Sequence, residues 1–599
     1  MSCNYFLLVL FAFQCSLPGI FAQPADVSVD AQVLIIGAGP AGLYASSTLN
    51  ENNITDYIII DGADHLGGYG KQITFGGIEF APGFLWSYGT ATFDQFGIPY
   101  RESNYSSYTV YTDEGDDITR VAIKRENSLV EAFDSATDAT IEDIEEGARP
   151  DLSQKATLAR GGWIATSAVD KVMEWFNFDF AEGISARDTS TIQPFRQEEL
   201  IPDEYFILGS IYPAREPLES ILTEEKVRLN QRVTVVNQTE GYVRAVTEDG
   251  IEYTGNYAIV TSTVGVIQNG GLTFDPPLPP WKSEEFCRFQ MGTIDPIFLK
   301  FETKFWDDTE FILHANDRHG YYPAFLNVEA EGLHPPGTNI LIGFLTGDEA
   351  YRAELLTDDE VKAEILEVLR NIYGEKNVPD PVEFYMSRFA TDPDLYGSFP
   401  TWPIGIVPMD AQMRLSANVD RVYFAPEGAG NVDFIGVLRG SIADGVAAAE
   451  AVIGCLLEDE CDEYSPAEPK APPLCSDVKP YNPNKRRAGN VDFIGVLRGS
   501  IADGVAAAEA VIGCLLEDEC DEYSPAEPKA PPLCSDVKPY NPNKRRKNFN
   551  FRQIRYKTRR YGDTFFPSTI PIWNNLSAAT VNAATIEAFK IQVNKELCN

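Results

Sequence analysis

The sequence predicts an α/β protein with a mixed sheet-and-helix architecture. A glycine fingerprint sits between a strand and a helix. A second strand ends in an acid, and strand-rich and helix-rich blocks then alternate. In the first block, the β-rich run Val33 to Ile36 ends in Gly37-x-Gly39-x-x-Gly42, with Pro40 and Ala41 between the last two glycines, and a helix-like segment follows. Gly37 permits a tight turn, Gly39 lets backbone approach a pyrophosphate, and Gly42 allows close helix–strand packing. The helix N-terminus adds free N–H groups and a positive dipole end. Tyr57 to Ile60 is the second strand; it delivers Asp61, an acceptor for ribose hydroxyls, and Leu66-Gly67-Gly68 comes next. Together these predict a Rossmann-like dinucleotide site.

Residues 105 to 200 read as largely helical, with an acidic run from Asp134 to Glu146. Arg228 to Val260 reads as strands (233–236, 242–246 and 257–260), with turns at Asp249-Gly250 and Thr254-Gly255. Ile297 to Phe301 and Asn339 to Phe344 are further strands. Asp358 to Tyr373 has a helical period that puts Val361, Ile365, Val368 and Leu369 on one face. Such alternation predicts two intertwined domains.

A chain of 599 residues with 44% hydrophobic content is globular and large enough for several domains. Its net charge of −41 excludes nucleic acid as a partner and can steer small cations towards the surface. Four histidines are too few for a histidine-rich metal site, and no metal is expected. Phe6 to Phe13 is the apolar core of a secretory signal covering residues 1–22, although Lys and Arg are absent from the first five residues. No later run is expected to span a bilayer. The expected location is extracellular, where sequons at Asn53, Asn104, Asn237 and Asn575 are compatible with glycosylation. Pairing among Cys287, Cys455, Cys461 and Cys475 is favoured there, with connectivity open. Oligomeric state is also open.

Ala429 to Arg487 recurs without change as Ala488 to Arg546. Repeats that stack into solenoids diverge at their surfaces, so identity at every position marks a recent duplication or a faulty gene model. The second copy lacks the strand Arg421 to Ala425 that precedes the first, and is no independent domain. Residues 456–487 form a Pro-rich acidic extension. The tail, 547–599, is locally basic, and its Phe565-Phe-Pro-Ser-Thr-Ile-Pro-Ile-Trp-Asn574 resembles the C-terminal end of non-LTR retroelement polyproteins.

The other half of the site lies far along the chain. Arg421-Val-Tyr-Phe-Ala-Pro-Glu427 is a strand leading to an acid, and Gly436-Val-Leu-Arg-Gly440 opens an alanine-rich helix. With the N-terminal fingerprint, Pro276 to Trp281, Phe298 to Phe301 and Tyr396 to Gly405, the chain from about 31 to 455 resembles the flavin-containing amine oxidases, most nearly the secreted plant-type polyamine oxidases. The resemblance implies non-covalent FAD held by a domain of segments 31–100, 215–285 and 397–455. A substrate-binding domain of 101–214 and 286–396 is interleaved with it. Gly37, Gly39, Pro40, Ala41 and Gly42 would face the pyrophosphate, with Gly67 and Gly68 nearby. Asp61 would meet the adenosine ribose, Val233 the adenine, and Glu427 the ribityl chain. Gly436 and Val437 would point a helix N-terminus at the flavin pyrimidine edge, where reduction places negative charge. The implied reaction is hydride transfer from an amine carbon to flavin N5, imine hydrolysis, and reduction of O2 to hydrogen peroxide.

Several positions depart from the family pattern. Tyr69 replaces an arginine that helps hold the cofactor phosphates, with Lys71 nearby. Pro296 stands where the family places a lysine by the flavin, and Lys300 reads as an ordinary strand residue, so the catalytic residue is unknown. Tyr88 replaces an acid on the substrate path, a loss worth about 1.5–3 kcal/mol of charge-assisted contact. Trp86, Tyr88, Phe399 and Val437 remain as the substrate pocket. The expected function is oxidation of a small amine by O2. The alternatives are a catalytically impaired flavin- or amine-binding relative and a flavin oxidase of amino acids.

Overall fold

The computed structural model describes residues 30–457 except 89, 146–149, 193–203, 240, 406–407 and 427–435, together with 461. The signal segment, the second repeat copy, the basic tail, Cys475, Asn575 and Glu427 lie outside the described residues.

The first strand, β1 (Ala31–Ile36), lies in an eight-stranded sheet, paired in parallel with β2 (Tyr57–Ile60) on one side and with Glu252–Val260 on the other. Its alternate residues face two different cores, which is why it reads as a continuous apolar run. Val33 and Ile35 pack with Ala41, Ala45 and Leu49 of the first helix, α1 (Pro40–Glu51), and with Ala449 and Val452 of helix Leu438–Leu457. Leu34 and Ile36 pack on the other side with Val260, Phe286 and Phe424. Val227–Arg228, Val233–Thr239, Tyr242–Thr247, Thr273–Asp275 and Val422–Phe424 complete the sheet, so strands far apart in sequence meet.

The expected turn at Thr254-Gly255 does not form. Strand Glu252–Val260 runs through it, with Gly255 paired to both Ala31 and Val243. A Cβ there would lie 2.7 Å from Leu34 Cγ, so this glycine serves close packing within a strand.

A second, six-stranded sheet runs in the order Glu383–Met386, Ile294–Lys300, Ile340–Thr346, Ala324–Asn327, Phe311–Ala315, Tyr108–Thr112. Tyr108–Thr112 is therefore a strand inside the block expected to be helical. That block otherwise holds helices Thr119–Glu145, Gln154–Arg160 and Ala168–Glu174, the last continuing into a π-helical turn, Trp175–Asp179. Asp358–Tyr373 is a helix opened by a capping box between Thr357 and Glu360, and it buries Val361, Ile365, Val368 and Leu369.

Helix Leu438–Leu457 is long and apolar enough to cross a bilayer by length and composition, against the expectation that no later run would be. Packing accounts for that composition. A Cβ on Gly445 would fall 2.1 Å from the Ala41 carbonyl oxygen, and Ala448, Ala449 and Val452 are buried. Cys455 and Cys461 form a disulfide, while Cys287 is free and exposed.

Candidate functional site

The glycine turn is built by sterics. Gly37 has φ +112°, and a Cβ on it would lie 2.2 Å from Thr261 Oγ1. Gly42 sits on the Gly37 carbonyl oxygen, where a Cβ would come within 2.0 Å. Gly39 differs: nothing lies within 4 Å of where its Cβ would be. It is the N-cap of α1 and offers no side-chain cap to the first turn; Pro40, lacking an N–H, loses nothing there. Uncapped N–H groups and open space thus coincide where an anion would approach.

Asp61, at the end of β2, accepts hydrogen bonds from Ala38 N at 2.6 Å and Ala63 N at 2.7 Å. Burial raises its pKa, and the two backbone donors oppose that rise. Gly67 N donates to the Ala38 carbonyl at 2.8 Å, which ties the Gly67-Gly68 turn to the first glycine turn.

These residues line two adjoining cavities. The smaller, about 240 Å³, is lined by Gly37, Gly39, Ala41, Asp61, Gly68 and Val233. The larger, about 810 Å³, is lined by Gly67, Trp86, Pro296, Phe399, Gly436 and Val437. Pro40, Tyr69, Phe389 and Ser441 belong to both walls. An elongated dinucleotide cofactor fits this pair, with its adenosine and diphosphate at the glycines and its ring system at Gly436. Gly436 has φ +70°, and a Cβ there would meet the Pro400 carbonyl oxygen at 2.9 Å and Phe399 Cδ2 at 3.1 Å. Helix Leu438–Leu457 starts at this turn, so a second helix N-terminus lies at the larger cavity.

Tyr69 is buried, donates its hydroxyl hydrogen bond to the Gly397 carbonyl, and sets its ring edge-on to Phe389 at 5.5 Å. It ties the second glycine turn to the segment leading to Phe399. Trp86 is fixed by a 2.8 Å bond from Nε1 to Ser103 Oγ and packs against Phe180, Phe206 and Phe344. Tyr88 ends strand Trp86–Tyr88. Lys300 donates to the Thr338 carbonyl at 2.7 Å and lines neither cavity.

Other wall residues escaped the sequence reading. Phe176 lies in the π-helical turn and Phe180 directly follows it, and the two rings stack at 6.2 Å with 11° between planes. Glu126, Glu182 and Glu204 also line the larger cavity. Glu126 accepts from the Tyr108 hydroxyl at 2.5 Å, and Glu204 from the Tyr105 hydroxyl. A π-helical turn has no simple sequence signature, and these carboxylates come from separate elements.

Asp295 precedes Pro296 and alternates to the opposite face of the strand. It is fully buried; Phe389 N donates to it at 3.4 Å, while neighbouring Glu354 accepts from Ala390 N at 2.8 Å and Thr391 N at 2.6 Å. Burial, then Glu354, hold its pKa well above the usual carboxylate range. The folded chain therefore keeps a proton that the unfolded chain releases, so stability falls as pH rises above that range. Asp295→Asn is expected to gain unfolding temperature relative to the parent progressively as pH rises from about 4 towards neutrality. A constant difference across that range would contradict this.

Three known proteins are similar to this chain, two in sequence and one in fold. The chain is 28% identical over 471 residues to polyamine oxidase 1 of Zea mays, covering 72% of this chain and 92% of that protein. It is 29% identical over 457 residues to polyamine oxidase 7 of Oryza sativa subsp. japonica, covering 70% and 94%. A solved wild-type putrescine oxidase bound to putrescine shares the fold with TM-score 0.55 at 18% identity, covering 71% of this chain and 99% of that one. The cofactor for which the paired cavities provide room is FAD. Residues 40–453 match the sequence profile described as flavin-containing amine oxidoreductase, and the chain belongs to that family.

Proposed function

We propose that the protein is a secreted oxidase of cationic amines, polyamines foremost, which passes the electrons to O2 and releases hydrogen peroxide. The composition of the larger cavity carries this reading: its lining combines the aromatic side chains Trp86, Phe176, Phe180, Phe344 and Phe399 with three carboxylates, Glu126, Glu182 and Glu204. An amine with a second ammonium group suits both, since aromatic faces accept a cation and carboxylates pair with one. The acid absent at Tyr88 is thus supplied from other elements. Bound FAD supplies the two-electron oxidation at the carbon beside the amine nitrogen. The protein's part is to orient the amine and exclude water, with Trp86, Phe176, Phe180 and Phe344 as the apolar wall. Relatives named polyamine oxidases support this substrate class.

No cysteine lines either cavity among the described residues, which supports non-covalent FAD. The apolar run Phe6 to Phe13 and the Cys455–Cys461 disulfide support an oxidising, extracellular location. Pro296 favours a second reading, a relative that binds flavin and amine without turnover, because the family's lysine is missing there. An amino acid would need a cation for its carboxylate; of the two arginines lining the larger cavity, Arg215 is already bonded to Glu219 and to the Gly70 carbonyl, and Arg439 lies in the first turn of helix Leu438–Leu457.

The test is peroxide release by the double variant Glu126→Gln, Glu204→Gln. Its KM for spermidine is expected to rise at least tenfold, roughly one lost charge-assisted contact, with kcat within about threefold of the parent. An unchanged KM would remove the carboxylates from substrate binding. No peroxide from the parent with any amine would favour the second reading.

A further inference from the structure

With Tyr69 in the place of the family's arginine, that position offers the cofactor diphosphate no positive charge. Four basic side chains line the smaller cavity: His65, Lys71, Arg232 and Arg388. Arg232 is committed to Asp394 through bonds of 2.7 and 2.9 Å. Arg388 is committed to Asp358 at 2.7 Å and to the Leu356 carbonyl at 3.2 Å. His65 Nδ1 lies 2.8 Å from Asp64. Lys71 has a looser partner: its Nζ is 3.8 Å from Asp64, whose side chain is 70% exposed. A contact of that kind is weak and easily exchanged.

Backbone geometry sets where Lys71 stands. Its N–H donates to the Gly68 carbonyl at 3.0 Å, closing the short turn Gly68–Gly70. A Cβ on Gly68 would lie 3.1 Å from Gly39 Cα, so the two glycine turns abut. Lys71 is thus one turn away from the glycine that leaves room for the diphosphate. Its ammonium is a point charge on a flexible stem, able to swing from Asp64 to a phosphate without abandoning a buried pair. We infer that Lys71 supplies the cationic contact to the FAD diphosphate, while Tyr69 keeps only the mechanical tie between the second glycine turn and Gly397. This depends on the cofactor and not on which amine is oxidised.

Full-length protein freed of flavin and titrated with FAD at low and high salt tests it. Lys71→Gln is expected to weaken FAD binding about fivefold to tenfold at low ionic strength, and the difference should shrink as salt screens the charge. Lys71→Arg should bind within about threefold of the parent, and the flavin-free variants should unfold at the parent's temperature. Equal affinity of Lys71→Gln and the parent at low salt would overturn the assignment. So would a loss that does not change with salt, which would mark Lys71 as a turn residue only. A parent protein that binds no FAD would remove the cofactor assignment itself, and the role of Lys71 with it.

Discussion

A single methyl group added at Gly42 is expected to destabilise the protein by roughly 2–4 kcal/mol and to release its flavin. Alanine is the better helix former by about 1 kcal/mol, so on propensity alone Gly42→Ala should help α1. Packing decides the other way. The new Cβ would stand 2.0 Å from the Gly37 carbonyl oxygen, a backbone atom that cannot rotate aside, and 3.3 Å from Ile35 Cγ2. Relief requires α1 to lift from β1, which also separates its N-terminus from the glycine turn and strains its contact with helix Leu438–Leu457. Thermal unfolding and the flavin content of the purified variant check this. A variant as stable and as yellow as the parent would show that the helix is not seated as described.

Three residues earlier, the same methyl group should have the opposite signature. Gly39→Ala is expected to weaken FAD at least tenfold while changing the stability of the flavin-free protein by no more than about 0.5 kcal/mol. Gly39 has φ −70° and ψ −177°, which any residue adopts, and its Cβ would meet nothing within 4 Å. The fold therefore does not need glycine there. The space it leaves open belongs to the smaller cavity, where backbone and diphosphate must come close. FAD titration and apo-protein melting of Gly39→Ala and Gly42→Ala, run side by side, separate a cofactor glycine from a packing glycine.

The βαβ unit was legible because its chemistry is local: strand, turn, helix and acid lie within about thirty residues, and each spacing has one physical reading. Asp358–Tyr373 was legible for the same reason, since its apolar stripe is written into one segment; the capping pair Thr357 and Glu360 was equally local and was passed over. Gly255 was misread because glycine in a strand and glycine in a turn look alike until Leu34 is placed beside it. The wall of the larger cavity was mostly illegible. Phe176, Phe180, Phe344 and Phe389 come from elements whose meeting is decided by sheet order, and no local spacing records it. Glu126 falls in an acidic, amphipathic helix where one inward carboxylate cannot be told from its solvated neighbours. Tyr69 could be recognised as a departure, but its bond to Gly397 spans 328 positions.

The central claim is that the larger cavity brings an amine to a bound flavin for oxidation. Anaerobic addition of spermidine to the purified full-length protein, followed by visible absorbance, tests it most directly. The expected result is a yellow protein that bleaches on adding the amine and recovers its colour, with peroxide formed, when oxygen is admitted. A protein that stays yellow with spermidine, spermine and putrescine, or one that carries no flavin at all, would contradict it.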